Sequence, residues 1–359
     1  MMHIYVHIPF CDSICYYCDF KRGLYEKAVL KLWLKQIEKE VNALDLRSIS
    51  TLYFGGGTPS CLPLDLFSQL ASLFTPYLCK DYEWTVECNP NNINEALINT
   101  YLQAGVNRIS LGVQSFDDTF LQAIGRKHSS QDVFNSIQRF REAGLNNLSV
   151  DLIYGLPNQT LADVKNEIRT FLSLNVPHLS IYALQIEPGS IFGKKGLKPC
   201  EEGLDANMYE CIRQMMTEHG YEHYEISSYA RDGMYSRHNR CYWDDSDFIG
   251  IGWGASGKEG SRRYDHVDTL SNYLQDERRV YVEDCDAPFE SIMMSLRTCF
   301  GLDCQKWERK YHQDFKKVYD KQLQTYVPEY LYWKDHHLIC TEKGLEILNT
   351  ILVDFLPDD

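Results

Sequence analysis

The chain has 359 residues, 44% of them hydrophobic, and a formal net charge of −14. That length suits one large domain or two modest ones, with enough apolar residues for a sizeable core. The acidic balance argues against a nucleic-acid binder, which needs a basic surface, and no apolar run reaches the roughly eighteen residues of a membrane span.

From the N-terminus, Met1 to Phe10 lacks the basic start and long apolar stretch of a secretory signal, so a cytoplasmic protein is expected. Runs of β character then alternate with helical periodicity. The expected strands are Ile4–Ile8, Thr51–Phe54, Trp84–Glu87, Arg108–Val113, Leu148–Ile153 and Leu179–Leu184. The first helix carries Leu30, Trp33, Leu34, Ile37, Val41 and Leu44 at spacings of three and four. Thr160 and Asp163 make a capping-box start for the helix bearing Leu161, Val164, Ile168 and Phe171. Six β–α units in series predict parallel strands with right-handed crossovers: an α/β fold, an incomplete (β/α)6 TIM-like barrel. In such folds chemistry gathers at the C-terminal strand ends. Beyond residue 190 come a turn-rich loop, a helix near Leu204–His219 and strands near Tyr221–Ser227 and Phe248–Trp253. The last part reads as helices around a ribbon (Tyr330–Trp333 and His337–Cys340), a small helical or winged-helix-like C-terminal domain. The expected division is 1–200, 201–285 and 286–359.

Of thirteen cysteines, ten are scattered singly and read as small buried hydrophobes. Cys11, Cys15 and Cys18 cluster after the first strand. Thiolates suit iron–sulfur clusters and zinc. A closed four-iron cluster takes four cysteines, so three leave one iron open. The alternative is a zinc site of three cysteines and a histidine such as His7. Further polar or glycine-rich stretches end the later strands. They are Gly55-Gly56-Gly57-Thr58-Pro59, Glu87-Cys88-Asn89, Gln114, Arg126 just beyond it, and Asp151 within an apolar run. The triple glycine permits close backbone approach to a ligand but matches no phosphate-binding loop. A carboxylate in an apolar strand is costly unless paired or functional.

The Cys-x3-Cys-x2-Cys spacing after a first strand resembles the signature of the radical S-adenosylmethionine (SAM) superfamily. The resemblance implies a [4Fe-4S] cluster on Cys11, Cys15 and Cys18, with the amino and carboxylate groups of SAM chelating the open iron. One electron then cleaves the sulfonium to a 5′-deoxyadenosyl radical. It further implies SAM contacts from Tyr5, Tyr17, Gly56, Gly57, Thr58, Glu87, Gln114, Arg126 and Asp151, the positions matching the oxygen-independent coproporphyrinogen oxidase family. That family's decarboxylases carry a further cysteine directly after the third; here Asp19 stands there. Its haem-chaperone branch carries His-Asn-x-x-Tyr-Trp, and the chain reads His238-Asn239-Arg240-Cys241-Tyr242-Trp243. The resemblance to that branch implies a haem-binding protein delivering haem to recipient haemoproteins. His238 or Cys241 would be an axial ligand, Tyr242 and Trp243 would stack on the porphyrin, and Arg237 and Arg240 would meet its propionates. The alternative is an oxygen-independent coproporphyrinogen III oxidase decarboxylating its substrate to protoporphyrinogen IX. Whether the chain is an enzyme is left open at this point.

Overall fold

The computed structural model describes residues 1–24, 27–267, 269–275, 279–282 and 286–356. Its central feature is a sheet of nine strands. Six parallel strands lie in chain order: β1 (Met2–Ile8), β2 (Ile49–Gly56), β3 (Leu78–Cys88), β4 (Arg108–Gln114), β5 (Leu148–Tyr154) and β6 (His178–Ala183). Beyond β6 lies an antiparallel hairpin, β7 (Glu222–Glu225) and β8 (Ser228–Ala230), with β8 against β6. On the opposite edge β9 (Ile249–Ile251) runs parallel to β1. The sheet does not close, so the fold is the expected partial barrel.

Alternation along the strands explains how it is filled. Leu52 and Phe54 on β2, Trp84 and Val86 on β3, Ile109 and Leu111 on β4, and Val150 and Leu152 on β5 are all buried in one apolar core. The intervening positions point to the lumen and are largely polar: Tyr53, Glu87, Arg108, Ser110 and Asp151 line a cavity. Helices cover the apolar face. The Lys27–Asn42 helix buries Leu30, Trp33, Ile37 and Val41, each worth about 1.5–3 kcal/mol of burial. The Leu161–Ser173 helix opens with the Thr160/Asp163 capping box, and Ser129/Asp132 form a second one for Ser130–Glu142.

Within the expected middle segment, Ser256–Glu259, Arg262–His266 and Arg279–Val282 form a small three-stranded sheet of their own, while the residues before them are built onto the barrel. The helix Glu202–Glu218 packs with Leu161–Ser173, β7 to β9 extend the same sheet, and Met208, Ile212, Tyr229 and Ile251 join the barrel core. Strands from both sides of the expected 200/201 boundary thus share one sheet. The end of that segment, residues 283–285, lies outside the described residues.

A second core begins at Ile292 and gathers Trp307, Phe315, Leu331, Leu338, Ile351 and Phe355. The expected ribbon is Leu331–Lys334 with His337–Cys340, and a short strand, Leu302–Asp303, adds to it as the third. The surrounding helices include Cys304–Tyr311 and Leu348–Asp354, a winged-helix-like arrangement. Asp245 ties this body to the barrel: it pairs with buried Lys258 and accepts from Lys310 Nζ at 2.7 Å and Tyr311 Oη at 3.0 Å. Among the described residues no helix is long and apolar enough to cross a membrane.

Candidate functional site

The cysteine loop crowns the C-terminal strand ends. Cys11 ends a two-residue strand, Phe10–Cys11, which pairs with Gly23–Leu24 and so closes the loop at its base. Tyr16 anchors the middle: its N–H donates to Ile124 O at 2.9 Å and its carbonyl accepts from Phe192 N at 2.9 Å. Cys11, Cys15 and Cys18 all line one cavity of about 770 Å3. Burial pushes the Cys11 thiol up to about 11, so metal loading there must release a proton.

Two observations bear on what these thiols hold. Thiolates about 2.3 Å from a tetrahedral zinc sit within about 4 Å of one another. Among the described residues, the three sulfurs do not come within 4.8 Å of one another, with or without His7. His7 is also committed: its Nε2 donates to Lys21 O at 2.8 Å, which leaves Nδ1 to accept from Tyr5 Oη at 3.0 Å. Burial lowers its pKa to about 4, in keeping with that neutral ring. Among the described residues, these three thiols and no histidine converge on the cavity, a donor set that suits a four-iron cluster with one iron left open.

The remaining rim forms a cradle. Gly56 has φ +104°, and a Cβ there would lie 2.4 Å from the His7 ring; one on Gly57 would lie 2.6 Å from Ile8 O. Only glycine lets this backbone run so close beneath the loop. Gly57 N and Thr58 N donate to Ile8 O at 2.9 Å and Phe10 O at 2.7 Å, which ties the turn to the cysteine loop. Glu87 accepts from Gly56 N at 3.0 Å and Tyr53 Oη at 2.9 Å, and burial raises its pKa to about 7. Gln114 sits at φ +67°, a strained conformation for a side-chain-bearing residue of the kind found at functional sites. Arg126 donates to Asn89 Oδ1 at 2.7 Å and to Gly112 O, and its Nη1 approaches Cys15 Sγ at 3.5 Å, while its buried Nε has no partner. Asp151 accepts from Ser110 Oγ at 2.8 Å and Ser149 Oγ at 3.2 Å, and burial raises its pKa.

Tyr17, Gly56, Gly57, Thr58, Glu87, Gln114, Arg126 and Asp151 therefore share the cavity with the cysteines. Tyr5 does not line it; its ring lies beneath, beside Tyr53 and His7.

The His238 motif is placed differently from the expectation of an accessible haem ligand. It forms a short helix, Arg237–Trp243, at the floor of the barrel. Glu83, from the N-terminal half of β3, accepts from Arg237 N at 3.1 Å and His238 N at 3.0 Å, a carboxylate at a helix N-terminus. His238 is 0% exposed, with Thr51 Oγ1 2.7 Å from Nδ1 and Tyr242 Oη 2.8 Å from Nε2. Burial drops its pKa to about 3. Cys241 is buried too, and Tyr242 packs edge-on to Phe248. Trp243 is half-buried, and its carbonyl accepts from Ser295 Oγ. None of the four lines the cavity; their neighbour Asn239 does. Arg237 is held by Asp81, and Arg240 lies over the Phe300 ring at 4.2 Å. Arg22, Arg262 and Arg263 are engaged as well: Arg22 with Phe20 O and Cys18 O, Arg262 over Tyr281, and Arg263 with Glu290.

Residues missed by motif reasoning are the lumenal ones: Tyr53, Arg108, Ser110, Ser180 and Tyr182. The signal was present as polar residues at alternate positions of apolar strands.

Comparison with known proteins accords with this geometry. Residues 5–171 match the radical SAM superfamily and residues 283–347 the HemN C-terminal domain. The chain is similar to Heme chaperone HemW of Lactococcus lactis, at 36% identity over 99% of this chain and 97% of that one. It is similar to Heme chaperone HemW of Bacillus subtilis at 33% identity, over 100% of each. In fold it resembles coproporphyrinogen III oxidase (HemN) from Escherichia coli, with a TM-score of 0.84 at 22% identity, covering 99% of this chain and 89% of that one. Matched over its whole length by relatives above 30% identity, and carrying the cysteine loop and glycine cradle at one rim of an open barrel, the chain belongs to the HemW family of the radical SAM superfamily.

Proposed function

We propose that this chain is a haem chaperone that holds a [4Fe-4S] cluster on Cys11, Cys15 and Cys18, binds SAM beside it, and takes up haem for delivery to haemoproteins. The observation that carries the cofactor part is the cavity itself, where three open thiols, a glycine cradle, an acid and a partly unpartnered arginine converge. When bound, the cluster supplies one-electron chemistry at its open iron. The chain's own residues do the rest. Arg126, whose Nε lacks a partner, would hold the carboxylate of SAM and Glu87, in its ionised form, the amino group; Asp151 and Gln114 would receive the nucleoside, and Tyr17 would cover it. The haem part rests on the HemW relatives and on Asp19, which lines the cavity where the decarboxylase pattern has a cysteine. We place haem at the open cavity, because His238 could reach an iron only by giving up Thr51 or Tyr242 and opening the barrel floor.

The test is an anaerobic haem titration of the cluster-reconstituted protein, followed by absorbance, beside an assay with coproporphyrinogen III and SAM. Saturable, stoichiometric haem binding without conversion of coproporphyrinogen is expected. Conversion without haem binding would replace this function with the oxidase.

A further inference from the structure

Arg108 points from β4 into the lumen and is 1% exposed. Its Nη1 makes a long hydrogen bond to Thr85 Oγ1, 3.4 Å, and its Nε has no partner. No carboxylate lies within ion-pair distance of it among the described residues, whereas Lys258, equally buried, holds both Asp245 and Glu290. A buried guanidinium most of whose donors are unfilled is costly to keep unless a ligand fills them. The nearby acid, Asp151, feels the Arg108 charge but does not fill its donors, since it accepts from Ser110 and Ser149 instead. A charge kept at that cost in a cavity wall is suited to an anion from outside, and its planar fork matches a carboxylate.

Arg126 does not serve the same anion. Its guanidinium is held at Gly112 O and Cys15, the cluster end, and Gly112 lies four residues up β4 from Arg108, about 13 Å. Asn239, also in the cavity wall, adds an amide from the floor helix. The lumen thus offers two cationic positions at different depths.

We propose that Arg108 anchors a carboxylate of the second ligand of this cavity; resting on the haem function above, that carboxylate is a tetrapyrrole propionate. The experiment titrates haem, haem dimethyl ester and SAM separately into anaerobic, cluster-reconstituted wild type, Arg108→Gln and Arg108→Lys. Wild type is expected to prefer haem over its diester by about tenfold or more. Arg108→Gln is expected to lose that preference, Arg108→Lys to keep part of it, and SAM affinity to change less than about twofold in either. Iron content and melting temperature check the fold of each variant. Equal binding of haem and diester by wild type, unchanged in Arg108→Gln, overturns the anchor and leaves the haem function standing. Lost SAM affinity with haem binding intact assigns Arg108 to SAM and overturns the propionate. Wild type that binds no haem overturns the function and the anchor together.

Discussion

At the barrel floor, His238 has a hydroxyl on each ring nitrogen, and Glu83 has a backbone N–H on each oxygen. At the mouth and in the lumen, Arg126 and Arg108 each keep a buried Nε without a partner, and Gln114 is held at positive φ. Both regions are built from polar side chains inside the same sheet. The floor satisfies itself and closes the barrel; the upper lumen stays incomplete. Buried polar groups are normally paired, so the incomplete ones mark where a ligand completes the network. The same contrast separates the buried His238, held by Thr51 and Tyr242, from neighbouring Asn239, which lines the cavity.

The largest expected effect is at the mouth. Cys15→Ala should abolish the reconstituted cluster, with iron and sulfide analysis and the visible absorption falling to background, while urea unfolding of the metal-free protein stays within about 0.5 kcal/mol of wild type. A retained cluster would break the assignment of the ligands.

Next comes the floor. His238→Ala leaves Thr51, Tyr242 and a cavity behind and should cost about 2–4 kcal/mol in chemical denaturation. A variant that loses haem at unchanged stability would reverse the contrast and restore His238 as a ligand. The depressed histidine pKa, about 3 through burial, adds a pH test. Between the unfolded value near 6.5 and about 3 the unfolded state binds the extra proton, so stability falls as pH drops through that window, and His238→Gln should flatten the fall.

Glu87 titrates in the opposite sense. Its folded pKa of about 7 exceeds the unfolded value, so the ligand-free protein is most stable with Glu87 protonated and loses stability as pH rises from about 4.5 to 7. If, as proposed, the carboxylate form holds the amino group of SAM, affinity for SAM should rise several-fold across pH 6 to 8, with proton release visible by calorimetry in buffers of differing ionisation enthalpy. Glu87→Gln should abolish both dependences. A flat profile in wild type would remove Glu87 from that role.

The smallest effect is the control. Thr160→Ala deletes a capping box on the outer face and should cost about 1 kcal/mol, with cluster, SAM and haem affinities unchanged. Altered binding would show that outer helices couple to the lumen.

The sequence by itself determined the barrel, because alternating apolar runs and capping boxes are local signals, and the cysteine loop, because its ligands are close in the chain. It also determined most of the rim, since residues at the ends of parallel strands converge. Only the tertiary structure decided the rest. β9 joins β1 across more than two hundred residues, so no local pattern could show that β7, β8 and β9 extend the barrel sheet. His238 and Arg108 carry no local mark of burial either: whether a polar side chain is satisfied depends on which distant partners the fold brings to it, here Thr51 and Tyr242 for one and only Thr85 for the other.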